Sequence, residues 1–299
     1  MQKPLKCYMS VVVLLLCTVG ILCGSFFDLR ISEAVFAPDN LWSKFVEFCG
    51  ILPTLFIVGS SGMLLFQYYR QKGNKAIAWL LLILITLIAG GFWGYDALHR
   101  YFRDYVILCV LFGALVMALF DFPIYLLIRN NRNIKDNPKV ALLMILSFLF
   151  TALFTFGIKF LIARPRYMFL VQWKEKGYIP NVADYYRDWF SFSRDTSMFR
   201  GFEGYESFAM QSWPSGHASF SSLTMLSIFL FRFNPKTEDK TDSAFIGSLI
   251  WTLLVMLARL LDGHHFLSDI SFGLLFGFLS FSLFSIWLVP QRRKIVEKE

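Results

Sequence analysis

The sequence predicts an all-α fold, a polytopic membrane helix bundle of about eight transmembrane helices. Three observations carry this. Of 299 residues, 56% are hydrophobic and the mean hydropathy is +0.54, more apolar than a soluble domain of this length ordinarily is. The apolar residues fall in runs long enough to cross roughly 30 Å of hydrocarbon at 1.5 Å per residue. The basic residues fall in short loops between those runs, so the formal charge of +8 reflects membrane topology rather than a nucleic-acid partner.

The runs lie near Ser10–Phe27, Ile51–Tyr69, Ile77–Trp93, Tyr105–Ile128, Val140–Ile162, Ala218–Phe231, Ala244–Leu261 and Phe266–Val289. The sixth is the shortest. Lys3, Lys6 and the turns Arg70–Lys75, Arg129–Lys139 and Arg232–Ser243, with the tail Arg292–Glu299, hold 16 of the 29 Lys and Arg residues. Alternation of eight helices puts all five on one side, which the positive-inside rule makes cytoplasmic, with both termini there. The opposite face receives Asp28–Gly50, Tyr95–Asp104, Pro165–Pro214 and the Asp262–His265 turn.

The whole chain, residues 1–299, reads as a single integral membrane domain. The first span also has features of a signal peptide, Lys3 and Lys6 ahead of Val11–Leu16, without a small-x-small cleavage site. The loop 167–212 is too polar to span and too aromatic for disorder. It reads either as a lid over a site or as an interfacial loop with its aromatics at headgroup level. Cys7, Cys17, Cys23, Cys49 and Cys109 show no metal-ligand spacing. Asp121, beside Pro123 in the fourth span, marks either a proton pathway or a side chain bonded to a neighbouring helix.

Three polar islands interrupt the apolar pattern, all beside spans and all on the face opposite the basic loops. Ionisable groups at membrane depth are costly enough to be read as functional. The first is Lys159 with Arg166 seven positions on, predicted to come nearly onto one face at a helix end. Lys offers a point charge and Arg a planar fork for anionic oxygens. Arg164 is a second arginine that competes for the role. The second, Pro214-Ser215-Gly216-His217, reads as turn then helix: Ser215 caps, Gly216 lets backbone approach a ligand, and the helix start favours phosphate. His217 stands ready for proton transfer. The third is Arg259, His265 and Asp269. His265 and Asp269 are four apart, so the carboxylate is expected to accept from one imidazole nitrogen and leave the other as nucleophile. His264 lacks that spacing and is placed at the rim. Asp262 is read as a turn former.

Order and spacing resemble the type 2 phosphatidic acid phosphatase (PAP2) superfamily. Its signature is Lys-(six)-Arg-Pro, Pro-Ser-Gly-His and Ser-Arg-(five)-His-(three)-Asp. This chain has Tyr167 in place of the first motif's proline and Ala258 in place of the third motif's serine. The resemblance covers about 140–289, a PAP2-like catalytic half. It implies that His265 attacks phosphorus to form a phosphohistidine, oriented by Asp269. His217 protonates the leaving oxygen and then activates water. Lys159, Arg166, Ser215, Gly216 and Arg259 hold the phosphoryl oxygens, with Arg164 and His264 in reserve. No metal and no cofactor is expected, because protein cations carry the positive charge.

The function so implied is metal-independent dephosphorylation of a membrane lipid phosphate or diphosphate. The site is expected on the outer face, periplasmic or extracellular, of a bacterial plasma membrane. The partners are the lipid substrate and the bilayer, with no obligatory protein partner. Alternatives are a lipid phosphotransferase using the same histidine, or a non-hydrolytic lipid-phosphate binder or transporter. A transporter would place its charges nearer the midplane.

Overall fold

The computed structural model describes residues 3–98, 102–129, 134–159, 161–203, 205, 207–233 and 236–288. The basic tail 292–299 and the end of the last span at Val289 lie outside them. The protein is 80% helical with no strand among the described residues. Seven segments there are long and apolar enough to cross a membrane: Tyr8–Val35, Leu41–Gln71, Lys75–Leu98, Val106–Ile128, Ile134–Lys159, Glu238–Leu261 and Leu267–Trp287. This is an integral membrane protein. Its outward faces are apolar, with Leu80, Ile88, Ile107, Leu119 and Leu153 exposed, while many hydroxyl side chains are buried. That distribution suits a lipid solvent, in which helices associate through small and polar residues rather than through apolar burial.

The expected sixth crossing takes a different form from the others. Three short pieces follow one another, α8 (Gly216–Ser222), a 3₁₀ turn (Leu223–Leu226) and α9 (Ser227–Phe233). They pack among α3 (Leu52–Gln71), α6 (Asn137–Lys159), α10 (Thr241–Leu261) and α11 (Leu267–Leu288). Ser219, Ser221, Ser222 and Thr224 are buried here and bond back to backbone carbonyls one turn earlier. Such back-bonding loosens the helical ladder, which accounts for the 3₁₀ break. Lined with serines and shielded from lipid by its neighbours, this run does not need the hydropathy of the other seven.

The first helix, α1 (Lys3–Val35), runs well past the expected end at Phe27. It lies along α11, where a Cβ at Gly20 or Gly24 would collide with Ser271 or Ser268. These glycines allow the backbones to touch. The helix continues through Asp28 because that carboxylate is satisfied by residues far away in sequence, as described below. The segment after α1 also holds α2 (Leu41–Cys49), capped by the Asn40 side chain and packed on α10. Next come α4 (Lys75–Trp93), a π-helical turn at Gly94–Leu98, and α5 (Val106–Ile128). Within α5, Asp121 accepts a 2.8 Å hydrogen bond from Thr86 Oγ1 on α4, the interhelical bond that was one of its two readings.

The long loop is folded. It opens with α7 (Tyr167–Glu175) and builds a small core of its own, in which Leu170, Trp173, Phe199 and Met210 are buried with Phe266. These aromatics pack on one another and on Phe36, so the loop folds as a compact cap. Its two ends are clipped together. Arg166 N donates to Ala209 O at 2.9 Å and Ser212 N to Arg164 O at 3.1 Å.

Candidate active site

All three islands meet at one end of the bundle, the end away from the basic loops. They surround a cavity of about 440 Å³. Lys159, Arg166, Arg259, Gly216, His217, His264 and His265 line it, together with Gln211 and Phe208 from the cap. Ile51, Phe92, Phe156 and Phe220 add an apolar wall, and Tyr95 and Asp96 complete the lining. Ser215, Asp269 and Arg164 are buried behind this surface.

Lys159 and Arg166 are not on one helix face, as their spacing predicted. The helix ends at Lys159, and Arg164 pairs with Gln211 at the far end of the cap. The two side chains converge instead on a shared carbonyl, Gln211 O, at 2.6 Å from Lys159 Nζ and 3.4 Å from Arg166 Nη2. Arg166 also donates from Nε to Phe208 O at 3.0 Å and lies 3.6 Å above the Phe208 ring. Arg259, 1% exposed, is 2.9 Å from Asp262 and 3.6 Å from Glu47. Its Nε has no hydrogen-bond partner among the described residues, although a buried guanidinium N–H ordinarily finds one.

Ser215 is the N-cap of α8, with Ala218 N donating to its Oγ at 3.4 Å. Its own N–H donates to Asp269 O at 3.0 Å, which fastens α8 to α11. A Cβ added at Gly216 would meet nothing nearer than Thr155 at 3.9 Å, so the space beside this backbone belongs to the cavity. His217 Nε2 is 3.3 Å from Glu47 O, an arrangement that places a proton on that nitrogen.

The turn before α11 sets His265. Gly263 has φ +68, a left-handed conformation that favours glycine, and His265 N donates to Arg259 O at 3.2 Å. The expected direct bond from His265 to Asp269 is replaced by a relay. His265 Nδ1 lies 2.6 Å from Ser212 O and 3.8 Å from Asp269 Oδ2. Ser212 Oγ in turn donates to Asp269 Oδ2 at 2.5 Å. Asp269 is drawn off because it also caps its own helix, accepting from Phe266 N at 2.9 Å. The carbonyl acceptor fixes the tautomer just as a carboxylate would. The proton sits on Nδ1, and Nε2 keeps its lone pair. Burial, then the charges of Arg166, Lys159 and Arg259, hold the imidazole well below its ordinary pKa.

His264 is buried and lines the cavity beside His265. Its Nδ1 is 2.9 Å from Asp262 and its Nε2 3.6 Å from Glu47. Asp262 forms the turn by accepting from His264 N at 2.9 Å.

Arg164 is spent elsewhere. Its guanidinium, 0% exposed, donates from Nε to Arg187 O at 2.7 Å. Nη1 donates to Ser268 Oγ at 2.9 Å and to Asp269 Oδ1; Nη2 donates to Asp28 Oδ2 at 2.9 Å and to Tyr186 Oη at 2.8 Å. That uses all five N–H groups, so Arg164 has none left for a phosphate. Burial alone would lower its pKa, but Asp269 and Asp28 outweigh burial and keep it charged.

Sequence reasoning did not find Asp28, Glu47, Ser212, Gln211 or Phe208. Asp28 carried a signal, a carboxylate one turn beyond Gly24 in an apolar run, but it read as the end of a span. Among the described residues no group of His, Cys, Asp and Glu could hold a metal ion.

Fold and site together define a polytopic membrane helix bundle with histidines and buried cations around one cavity. Residues 140–293 match the PAP2 superfamily, and the chain belongs to that family, whose members are phosphatases acting on phosphoesters. No curated protein and no solved structure matches it.

Proposed function

We propose that this protein removes phosphate from a membrane lipid phosphate or diphosphate by way of a phosphohistidine at His265, without a metal ion. One observation carries the reading. His265 has Nδ1 committed to Ser212 O and stands in a cavity lined by Lys159, Arg166, Arg259 and a second histidine, His217. A neutral imidazole among cations suits attack on an anionic phosphoryl group, whose charge spreads over oxygens that several fixed donors can hold. Lys159, Arg166, Arg259, Ser215 and the Gly216 backbone are assigned that holding role.

In the first step His265 Nε2 bonds to phosphorus and the bond from phosphorus to the lipid oxygen breaks. His217, entering the step as imidazolium with Nε2–H held by Glu47 O, gives its Nδ1 proton to that oxygen. In the second step His217 takes a proton from water, the water oxygen bonds to phosphorus, and the N–P bond breaks. The products are inorganic phosphate and the lipid alcohol, or the lipid monophosphate when a diphosphate is cleaved. Asp269 acts through Ser212 and through its negative field, which favours the cationic imidazole formed on attack.

The apolar wall of Ile51, Phe92, Phe156 and Phe220 supports an amphiphile as substrate, entering from the bilayer. The clustering of Lys and Arg in loops at the opposite end supports a site on the outer face of a plasma membrane with both termini cytoplasmic. The test is phosphate release from vesicles carrying phosphatidate or a polyprenyl diphosphate, in EDTA. Wild type is expected to release phosphate, and His265→Ala to lose about 10³-fold or more in kcat. Loss of wild-type activity in EDTA, or an active His265→Ala, would overturn the reading.

A further inference from the structure

Behind the cavity lies a closed ion network with an odd charge count. Arg164 is a single cation between two carboxylates, Asp28 and Asp269, and the Arg164 and both carboxylate side chains are 0% exposed. Asp28 comes from α1, outside the stretch that matches the family. Its Oδ1 accepts from Ser268 N at 2.9 Å, and its Oδ2 accepts from Ser268 Oγ and from Arg164 Nη2. Ser268 is thus held between Arg164 and Asp28, immediately before Asp269 in the chain.

We infer that Asp28 is a positioning residue for catalysis, acting through Arg164 and Asp269 on the His265 imidazole. With Asp28 absent, Arg164 and Asp269 form a neutral pair, and Asp269 exerts little net field on its surroundings. With Asp28 present, the guanidinium is shared and the cluster keeps one net negative charge. That charge lies behind Ser212 and His265, on the side away from the cavity. It opposes the cations that face His265, namely Lys159 from α6, Arg166 ahead of α7, Arg259 from α10, and neighbouring His264 when protonated. The cavity cations favour the incoming phosphate but penalise the positive imidazole that forms on attack. The buried negative cluster offsets that penalty without reaching the substrate. Asp28 also fixes the geometry, since it anchors the guanidinium that grips Asp269 Oδ1 and so leaves Oδ2 for Ser212 and Phe266.

This inference rests on the phosphohistidine reading, and the experiment separates the two. Wild type, His265→Ala, Asp28→Asn and Ser268→Ala are assayed on phosphatidate vesicles for kcat, KM and the pH dependence of kcat/KM, with folded fraction measured by near-UV circular dichroism. Inactive wild type or active His265→Ala overturns the parent reading. With that reading intact, Asp28→Asn is expected to lower kcat about tenfold per folded molecule at unchanged KM. It should also move the enzyme's acid limb to lower pH, because losing a negative charge makes the imidazolium less stable. A purely structural Asp28 would lower the folded fraction and leave the acid limb in place, which overturns the inference. If Asp28→Asn does not fold, Ser268→Ala decides. It keeps every charge but removes the hydroxyl between Arg164 and Asp28. A kcat about threefold below wild type at unchanged KM is expected, and a wild-type kcat overturns the inference.

Discussion

Two arginines two positions apart end in opposite circumstances. Arg164 gives every N–H to a protein acceptor and is walled in by Asp28, Asp269, Ser268 and Tyr186. Arg166 leans on the Phe208 ring and two cap carbonyls and lines the cavity, alongside Arg259, whose Nε finds no acceptor among the described residues. Charge enclosed among protein acceptors makes scaffold, whereas charge that faces the cavity makes a binding site. His265 lies between the two regions, with Nδ1 turned to the scaffold side through Ser212 O and its neutral form favoured by burial and by the cations of the cavity side.

Exchanging the roles of the two arginines is the sharpest way to break this contrast. Arg166→Gln is expected to lower kcat/KM about 100-fold with little change in melting temperature. The same variant tests the pH argument. In the proposed mechanism the nucleophile is the neutral imidazole, whose pKa is depressed, so the enzyme's acid limb in kcat/KM should lie below the ordinary imidazole value of 6.5. Removing the Arg166 cation relieves part of that depression, so the limb should move up in pH. A limb that stays put would break the link between the cavity charges and His265.

Arg164→Lys should show the reverse balance. Lysine keeps the charge but has three donors where five are used, which leaves buried acceptors unmatched. The expected cost is about 3 kcal/mol of stability, read as a lower melting temperature and lower urea midpoint. Unchanged stability would mean that the ion network is not scaffold. Ser212→Ala removes only the hydroxyl that joins the two regions. With the Ser212 carbonyl still in place for His265, kcat should fall about fivefold at constant KM. Asp121→Asn, far from the contrast and hydrogen-bonded to Thr86, is expected to leave kcat within twofold. A large loss there would revive the proton-pathway reading.

Much of this was legible in the chain itself. Runs of apolar residues and the placement of lysine and arginine mark most of the bundle, because lipid imposes a length and a composition on each crossing. The broken run α8–α9 was marked faintly, since a helix surrounded by other helices need not be apolar throughout. The site's histidines and cations were legible because their spacing is local. The relay was not. Ser212 reaches Asp269 across 57 residues and Asp28 reaches Ser268 across 240, and no short-range pattern records such pairings. For the same reason Asp269 seemed the direct partner of His265: spacing brings the two together, but only the folded cap shows a carbonyl arriving first. Arg164 and Arg166 were separable by spacing alone, yet the reason became visible only when the buried carboxylates were in place.

The most direct test of the central claim is to trap the covalent intermediate. Enzyme mixed with lipid carrying radiolabelled phosphate is quenched within the first turnover under alkaline denaturing conditions, then digested and mapped. An acid-labile, base-stable label is expected on the peptide containing His265, absent from His265→Ala. Label that survives in that variant, label on His217 or His264, or phosphate release with no labelled protein at any time would contradict it.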